Sequence, residues 1–170
     1  MIVKPSATDY PGFFQRYITL VPQTDLFEAF AVQREELAAF LLSISDTKAD
    51  YSYAPGKWTL KELLQHIIDT ERIFAYRALC FARGEQQNLP GFDENNYAAN
   101  AYAANRNWQE LVNEFITLRQ STEQLFNSLN VAVLTHEGHA NNTLQTVAGV
   151  GFTVLGHFIH HKNIITQRYL

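Results

Sequence analysis

Cysteine, methionine and proline are scarce here, with one, one and five copies among 170 residues, and each shortage excludes something. The lone thiol, Cys80, closes no internal disulfide and supplies no thiolate cluster, so any metal falls to imidazole and carboxylate. Eight glycines and five prolines leave no room for collagen-like or low-complexity architecture. Positive charge is short as well. Lys plus Arg is 13 against 17 for Asp plus Glu, a net charge of −4. The basic residues are scattered, so the chain offers no footprint for nucleic-acid phosphates. No apolar run approaches the roughly 18–20 residues that span a bilayer. The opening MIVKPSATDYPGFF, with Pro5, Asp9 and Pro11, lacks the apolar centre of a secretory leader. GxSxG, P-loop and GxGxxG patterns are missing. The expectation is one cytoplasmic domain over residues 1–170, acting on a small molecule rather than on nucleic acid or membrane.

What is abundant is apolar and aromatic: 46% hydrophobic residues, with 12 Phe, 8 Tyr and 2 Trp, enough for a substantial core. Its spacing is helical almost throughout. A short helix is predicted over 12–20. A longer one starts near Asp25, with Leu26, Phe30, Leu37, Phe40 or Leu41, and Ile44 at three- and four-residue steps. Thr59-Leu60-Lys61-Glu62 reads as a capping box opening a helix that runs to Gly84, its stripe being Leu60, Leu63, Ile67, Phe74, Ala78 and Phe81. Residues 85–106 form a long connection with a helical stretch in NNYAANAYAA. A further helix spans about 108–129, residues 130–142 form a loop, and the last helix opens near Asn142 or Thr143 and continues to the C-terminus. Its stripe is Val147, Val150, Val154, Phe158, His161 and Ile165. Four amphipathic helices without strand alternation predict an all-α four-helix bundle.

Three of six histidines crowd into positions 157, 160 and 161. On a helix, His157 and His161 lie about 40° apart and His157 and His160 about 60° apart, so spacing allows either pair to converge on one ion. His161 falls on the apolar stripe, where an imidazole needs a polar partner, and this favours His157 with His161. On the capped helix, His66 neighbours the inward positions Leu63 and Ile67 and is the candidate third ligand. Three imidazoles with an open position match a catalytic zinc site more than a structural one. Asp69, one turn beyond His66, is the candidate to orient a ligand or accept a proton. Glu71 and Arg72 read as surface ion-pairing groups, Asp93 and Glu94 as acids at a helix start that also reach toward a bundle opening. His136 and His139 read as solvent-facing, Cys80 as a small core residue.

Tyr53-Ala54-Pro55-Gly56-Lys57-Trp58-Thr59, followed by Leu63-Leu64-Gln65-His66-Ile67-Ile68-Asp69, resembles the opening of the second helix in the DinB/YfiT-like superfamily. Gly156-His157-Phe158-Ile159-His160-His161 resembles the HxxxH of that family's last helix. Glu71-Arg72 through Arg77-Ala78-Leu79, then Leu89-Pro90-Gly91-Phe92-Asp93, is similar to the DinB_2-type branch. The resemblance extends from about residue 12 to the end. It implies up-down-down-up connectivity, with the long connection between the second and third helices of the bundle. It implies a divalent metal, nickel or zinc, on His66, His157 and His161, and assembly as a homodimer. Because the family includes thiol-dependent isomerases and S-transferases besides metal-dependent hydrolases, it also implies a metal-dependent enzyme, with a low-molecular-weight thiol as a possible co-substrate. Arg72, Arg77 and Arg106 are the candidates to bind the acidic or sugar part of such a thiol.

Overall fold

The computed structural model describes residues 4–6 and 12–170. The expectation that the opening residues form no leader rests largely on positions outside that range. Among the described residues, six α-helices and one hairpin follow in chain order: α1 (Gly12–Ile18), α2 (Leu26–Leu42), α3 (Leu60–Ala82), α4 (Glu94–Asn100), α5 (Trp108–Ser128), β1 (Glu137–Ala140), β2 (Thr143–Thr146) and α6 (Val147–Arg168). The bundle is α2, α3, α5 and α6. Among the described residues no helix is long and apolar enough to cross a membrane.

The helix ends are set where their chemistry predicts. Asp25 accepts from the Phe27 and Glu28 amides at 3.1 Å. At Thr59 both halves of the capping box form: the Glu62 amide donates to Thr59 Oγ1 at 3.2 Å, and the Thr59 amide to Glu62 Oε2 at 2.7 Å. The box registers α3 one turn before His66, and such a cap contributes about 1 kcal/mol. The far end of α3 closes in a Schellman pair. Gly84, with φ of +80°, and Glu85 donate to the Phe81 and Cys80 carbonyls at 3.0 Å.

Side-chain pairs give the helix directions. Gln65 meets Arg106 just before α5, while Glu71 and Arg72, about two turns further along α3, meet Arg119 and Glu114 within α5, so α3 and α5 run parallel. Arg34 with Glu123 and Phe30 with Phe126 make α2 and α5 antiparallel. Trp58 with Tyr169 and His66 with His157 do the same for α3 and α6. Parallel neighbours need a crossover, and residues 83–107 provide it.

α6 is the central helix, buried without a break from Val147 to Phe158. Two apolar clusters fill the bundle, one around Phe30, Phe81, Phe126 and Phe152, the other around Leu41, Leu64, Leu111 and Phe158. A polar layer crosses between them. Arg119, 1% exposed, donates through Nε and Nη2 to the Glu71 carboxylate and through Nη1 to Gln33, whose amide donates to the Leu155 carbonyl. The surface role expected of Glu71 is therefore wrong: it is buried and ion-paired. Its position was legible, since 71 continues the stripe at 63, 67, 74 and 78, where an acid is unsolvated unless a cation comes with it.

The last helix starts later than expected, because 137–146 form an antiparallel hairpin. Asn141 and Asn142 both take positive φ, the requirement of a two-residue turn of the mirror-image type. Four-residue strands are too short to print an alternation, so only the Asn-Asn pair signals them. In the crossover, the NNYAANAYAA stretch stops as a helix at Asn100, and Tyr102, at φ of 52°, turns the chain into a 3-10 segment.

Candidate metal centre and its cavity

His66 comes from the second turn of α3, His157 and His161 from successive turns of α6, and antiparallel packing brings them together across 91 residues of sequence. His157 Nε2 lies 3.2 Å from His66 Nε2 and 3.0 Å from His161 Nε2. All three ligand atoms fall within 4.8 Å of one another. His160, which spacing left open, is not one of the three. Its ring packs edge-on against Tyr17 at 5.5 Å and against His161 at 5.0 Å.

Aromatic neighbours hold the rings. Trp58 stacks on His66 at a centroid distance of 4.9 Å, and Tyr17 meets His157 edge-on at 5.4 Å. Tyr17 reaches that place because α1 and α6 touch backbone to backbone at Gly156, where a methyl group would collide with the Tyr17 carbonyl.

Burial lowers the pKa of His66 to about 4; the Glu94 carboxylate opposes the shift and His160 adds to it. His157 and His161, 7% and 8% exposed, are driven well below the ordinary imidazole value, first by burial; His161 and then His66 add to the shift of His157, and His66 and then His160 to that of His161. Three neutral imidazoles therefore present Nε2 to one point at neutral pH. A neutral ring nitrogen has one lone pair or one proton, so His157 Nε2 satisfies only one of its two close nitrogen contacts. A divalent cation removes that frustration. Zinc–imidazole bonds near 2.0–2.1 Å on tetrahedral corners place the nitrogens about 3.3 Å apart, close to the spacing observed. The donor set fits the ion.

The three rings open into a cavity of about 510 Å³. Its walls include Phe14, Trp58, Phe74 and Phe92, with Arg16, Arg77 and Glu94 as charged members. Asp69 is not among the lining residues; it is half-buried, accepts from Gln65 at 2.9 Å and stands 3.9 Å from Arg72. Glu94 is the acid that enters the cavity, while its neighbour Asp93 caps α4 through the Asn96 amide at 2.7 Å. Arg72 and Arg106 are both committed to Glu114, at 2.7 and 2.5 Å. Of the arginines singled out in the sequence, Arg77 alone lines the cavity. Arg16 was missed, and nothing in its local pattern marks it. His136 and His139 are exposed, as expected, and Cys80 is partly buried against the core.

Comparison with known proteins places this geometry. The sequence model of the DinB superfamily matches residues 29–165. Among solved structures, the chain is similar to YfiT from Bacillus subtilis, described as a probable metal-dependent hydrolase with an unusual four-helix bundle topology. The TM-score is 0.69 at 15% identity, covering 96% of this chain and 90% of that one. It is also similar to the mycothiol-dependent maleylpyruvate isomerase, with TM-score 0.62 and 15% identity, over 92% of this chain and 61% of that one. At such identities the likeness is one of fold. A stretch of 127 residues is 26% identical to Golgi SNAP receptor complex member 1 of Rattus norvegicus, covering 68% of this chain and 51% of that protein, with the same figures for the Mus musculus protein. The chain spans about half the length of these curated relatives.

Proposed function

Because the chain belongs to the DinB superfamily, we propose that it is a metal-dependent enzyme that holds a divalent ion, zinc or nickel, on His66, His157 and His161. The reaction we assign is transfer of a low-molecular-weight thiol to a small electrophile. One observation carries the reading: three Nε2 atoms, two from buried rings and one from a partly buried ring, converge at ligand spacing at the head of an aromatic-walled cavity. When bound, the ion supplies Lewis acidity, lowering the pKa of a thiol or water that joins the three imidazoles. The protein's own residues do the rest. Trp58 and Tyr17 orient the rings and keep water from their outer faces. Burial keeps the imidazoles unprotonated, so their lone pairs are available at neutral pH. Among the described residues, Glu94 is the carboxylate that lines the cavity, and the role we assign it is to accept a proton released there.

Hydrolysis is the second reading, favoured by Glu94, since an acid lining the same cavity as the imidazoles suits a general base for water. Asp69 is badly placed for that task. Elemental analysis tests the metal: a ratio near one ion per chain, falling toward zero in His66→Ala, supports it, and a ratio near zero in both removes it. A panel of thiols with a chromogenic electrophile tests the chemistry. Glu94→Gln is expected to slow turnover at least about tenfold while Asp69→Asn leaves it within about twofold; the reverse pattern would return the role to Asp69. Assembly as a homodimer is part of the proposal, checked by light scattering.

A further inference from the structure

Four charged side chains are buried among the described residues: Glu71, Arg77, Arg119 and Glu123. Three are paired, Glu71 with Arg119 at 2.7 Å and Glu123 with Arg34 at 3.0 Å. The fourth, Arg77, is 4% exposed and has no carboxylate within ion-pair distance among the described residues. Its guanidinium donates once, from Nη2 to the Pro90 carbonyl at 2.9 Å, and lies 5.1 Å from the Phe74 ring centroid. A guanidinium has five N–H donors and cannot shed its charge. Buried without a counter-charge it costs several kcal/mol. Arg119, bonded to a carboxylate and an amide at once, shows how this protein treats a buried guanidinium that has only structural work. Arg77 differs in bordering the cavity.

The cavity has a direction. Arg77 stands eleven residues beyond His66 on α3, about 16 Å of helix. Phe74 and Phe92 line the wall on Arg77's side, and Glu94 exerts its field on His66 at the other end. Arg16, the cavity's other arginine, acts on His160 and His161 at that same end, where Glu94 offsets it, so Arg77 is the cavity-lining cation with no acid beside it among the described residues and the one that attracts an anion. One fork-shaped cation among apolar walls suits a planar monoanion, whereas a phosphate dianion calls for more positive charge than this end supplies.

We propose that Arg77 anchors the carboxylate of an elongated organic acid, whose apolar body lies along Phe74 and Phe92 and whose opposite end reaches the histidine cluster. This names the substrate class of the reading above and rests on it only for the role of that opposite end.

The test uses the full chain, metal-free and zinc-loaded, titrated calorimetrically with 6-phenylhexanoate and its neutral amide. The acid is expected to bind both forms at least about tenfold more tightly than the amide. Arg77→Met should erase that margin and Arg77→Lys should keep part of it, with zinc affinity unchanged in both. Equal binding of acid and amide, no binding of either, or a margin that survives Arg77→Met overturns the proposal. A margin seen only with zinc and insensitive to Arg77→Met assigns the anion to the ion and overturns it too. If Arg77→Met does not fold, the wild-type margin and its reduction in Arg77→Lys decide. Should zinc fail to bind while the metal-free margin holds and responds to Arg77, the metal reading falls and this one stands.

Discussion

Acidifying the metal-free protein titrates the histidine cluster through stability. Burial holds His66 at about 4 in the folded chain, against an ordinary value of 6.5 that the unfolded chain recovers. Above pH 6.5 the ring is neutral in both states and stability is complete. Between 6.5 and 4 the unfolded chain binds a proton that the folded chain refuses, so stability declines, and below about 4 the loss levels off. At about 1.4 kcal/mol per pH unit, His66 alone accounts for about 3 kcal/mol. His157 and His161 act in the same direction, their values also being lowered well below the ordinary one by burial. The assay is urea denaturation after chelation, at pH 7.5 and 4.5, for wild type and His66→Asn. With a slope of about 2 kcal/mol/M, the share of His66 corresponds to a midpoint shift of about 1.5 M. The wild-type midpoint should fall by at least about 1 M more than the variant's. Equal falls in both proteins would refute the reasoning, because they would mean that His66 charges as readily inside the bundle as outside it.

Two further outcomes follow from the packing. Arg119→Met leaves Glu71 buried without its cation and should cost about 3–5 kcal/mol in urea denaturation, with Glu71→Gln added to it restoring part of the loss; strict additivity would contradict the pairing. Gly156→Ala drives a methyl into the Tyr17 carbonyl and should destabilise by about 1–3 kcal/mol, read as a melting temperature about 3–10 °C lower, with weaker zinc binding as Tyr17 moves off His157. An unchanged melt would show that α1 does not press on α6 as described.

Helix positions were readable because their signals are local. Asp25, Thr59 with Glu62, and Gly84 each satisfy backbone groups within a turn of themselves, so they mark ends without reference to the fold. The hairpin escaped because its strands are shorter than the window in which alternation becomes visible, leaving Asn141-Asn142 as its only mark. Arg77 was one of three candidate ligand-binding arginines and Glu94 one of two acids expected near the bundle opening; the sequence did not single either out, because nothing near them shows that Arg77 is buried at the cavity wall or that the crossover carries Glu94 rather than Asp93 to it.

The sequence by itself determined that the chain is helical, that α3 begins at a capping box just before His66, and that His157 and His161 share a helix face. Each is a matter of three- and four-residue spacing. Only the tertiary structure decided that His66 meets that pair, that His160 turns to Tyr17 instead, that Glu71 takes Arg119 inside, and that Glu94 rather than Asp69 enters the cavity. Those outcomes depend on how antiparallel α3 and α6 settle against one another and on where the long crossover returns. Contacts between residues some 90 positions apart are selected by the packing of whole helices, which local periodicity does not encode.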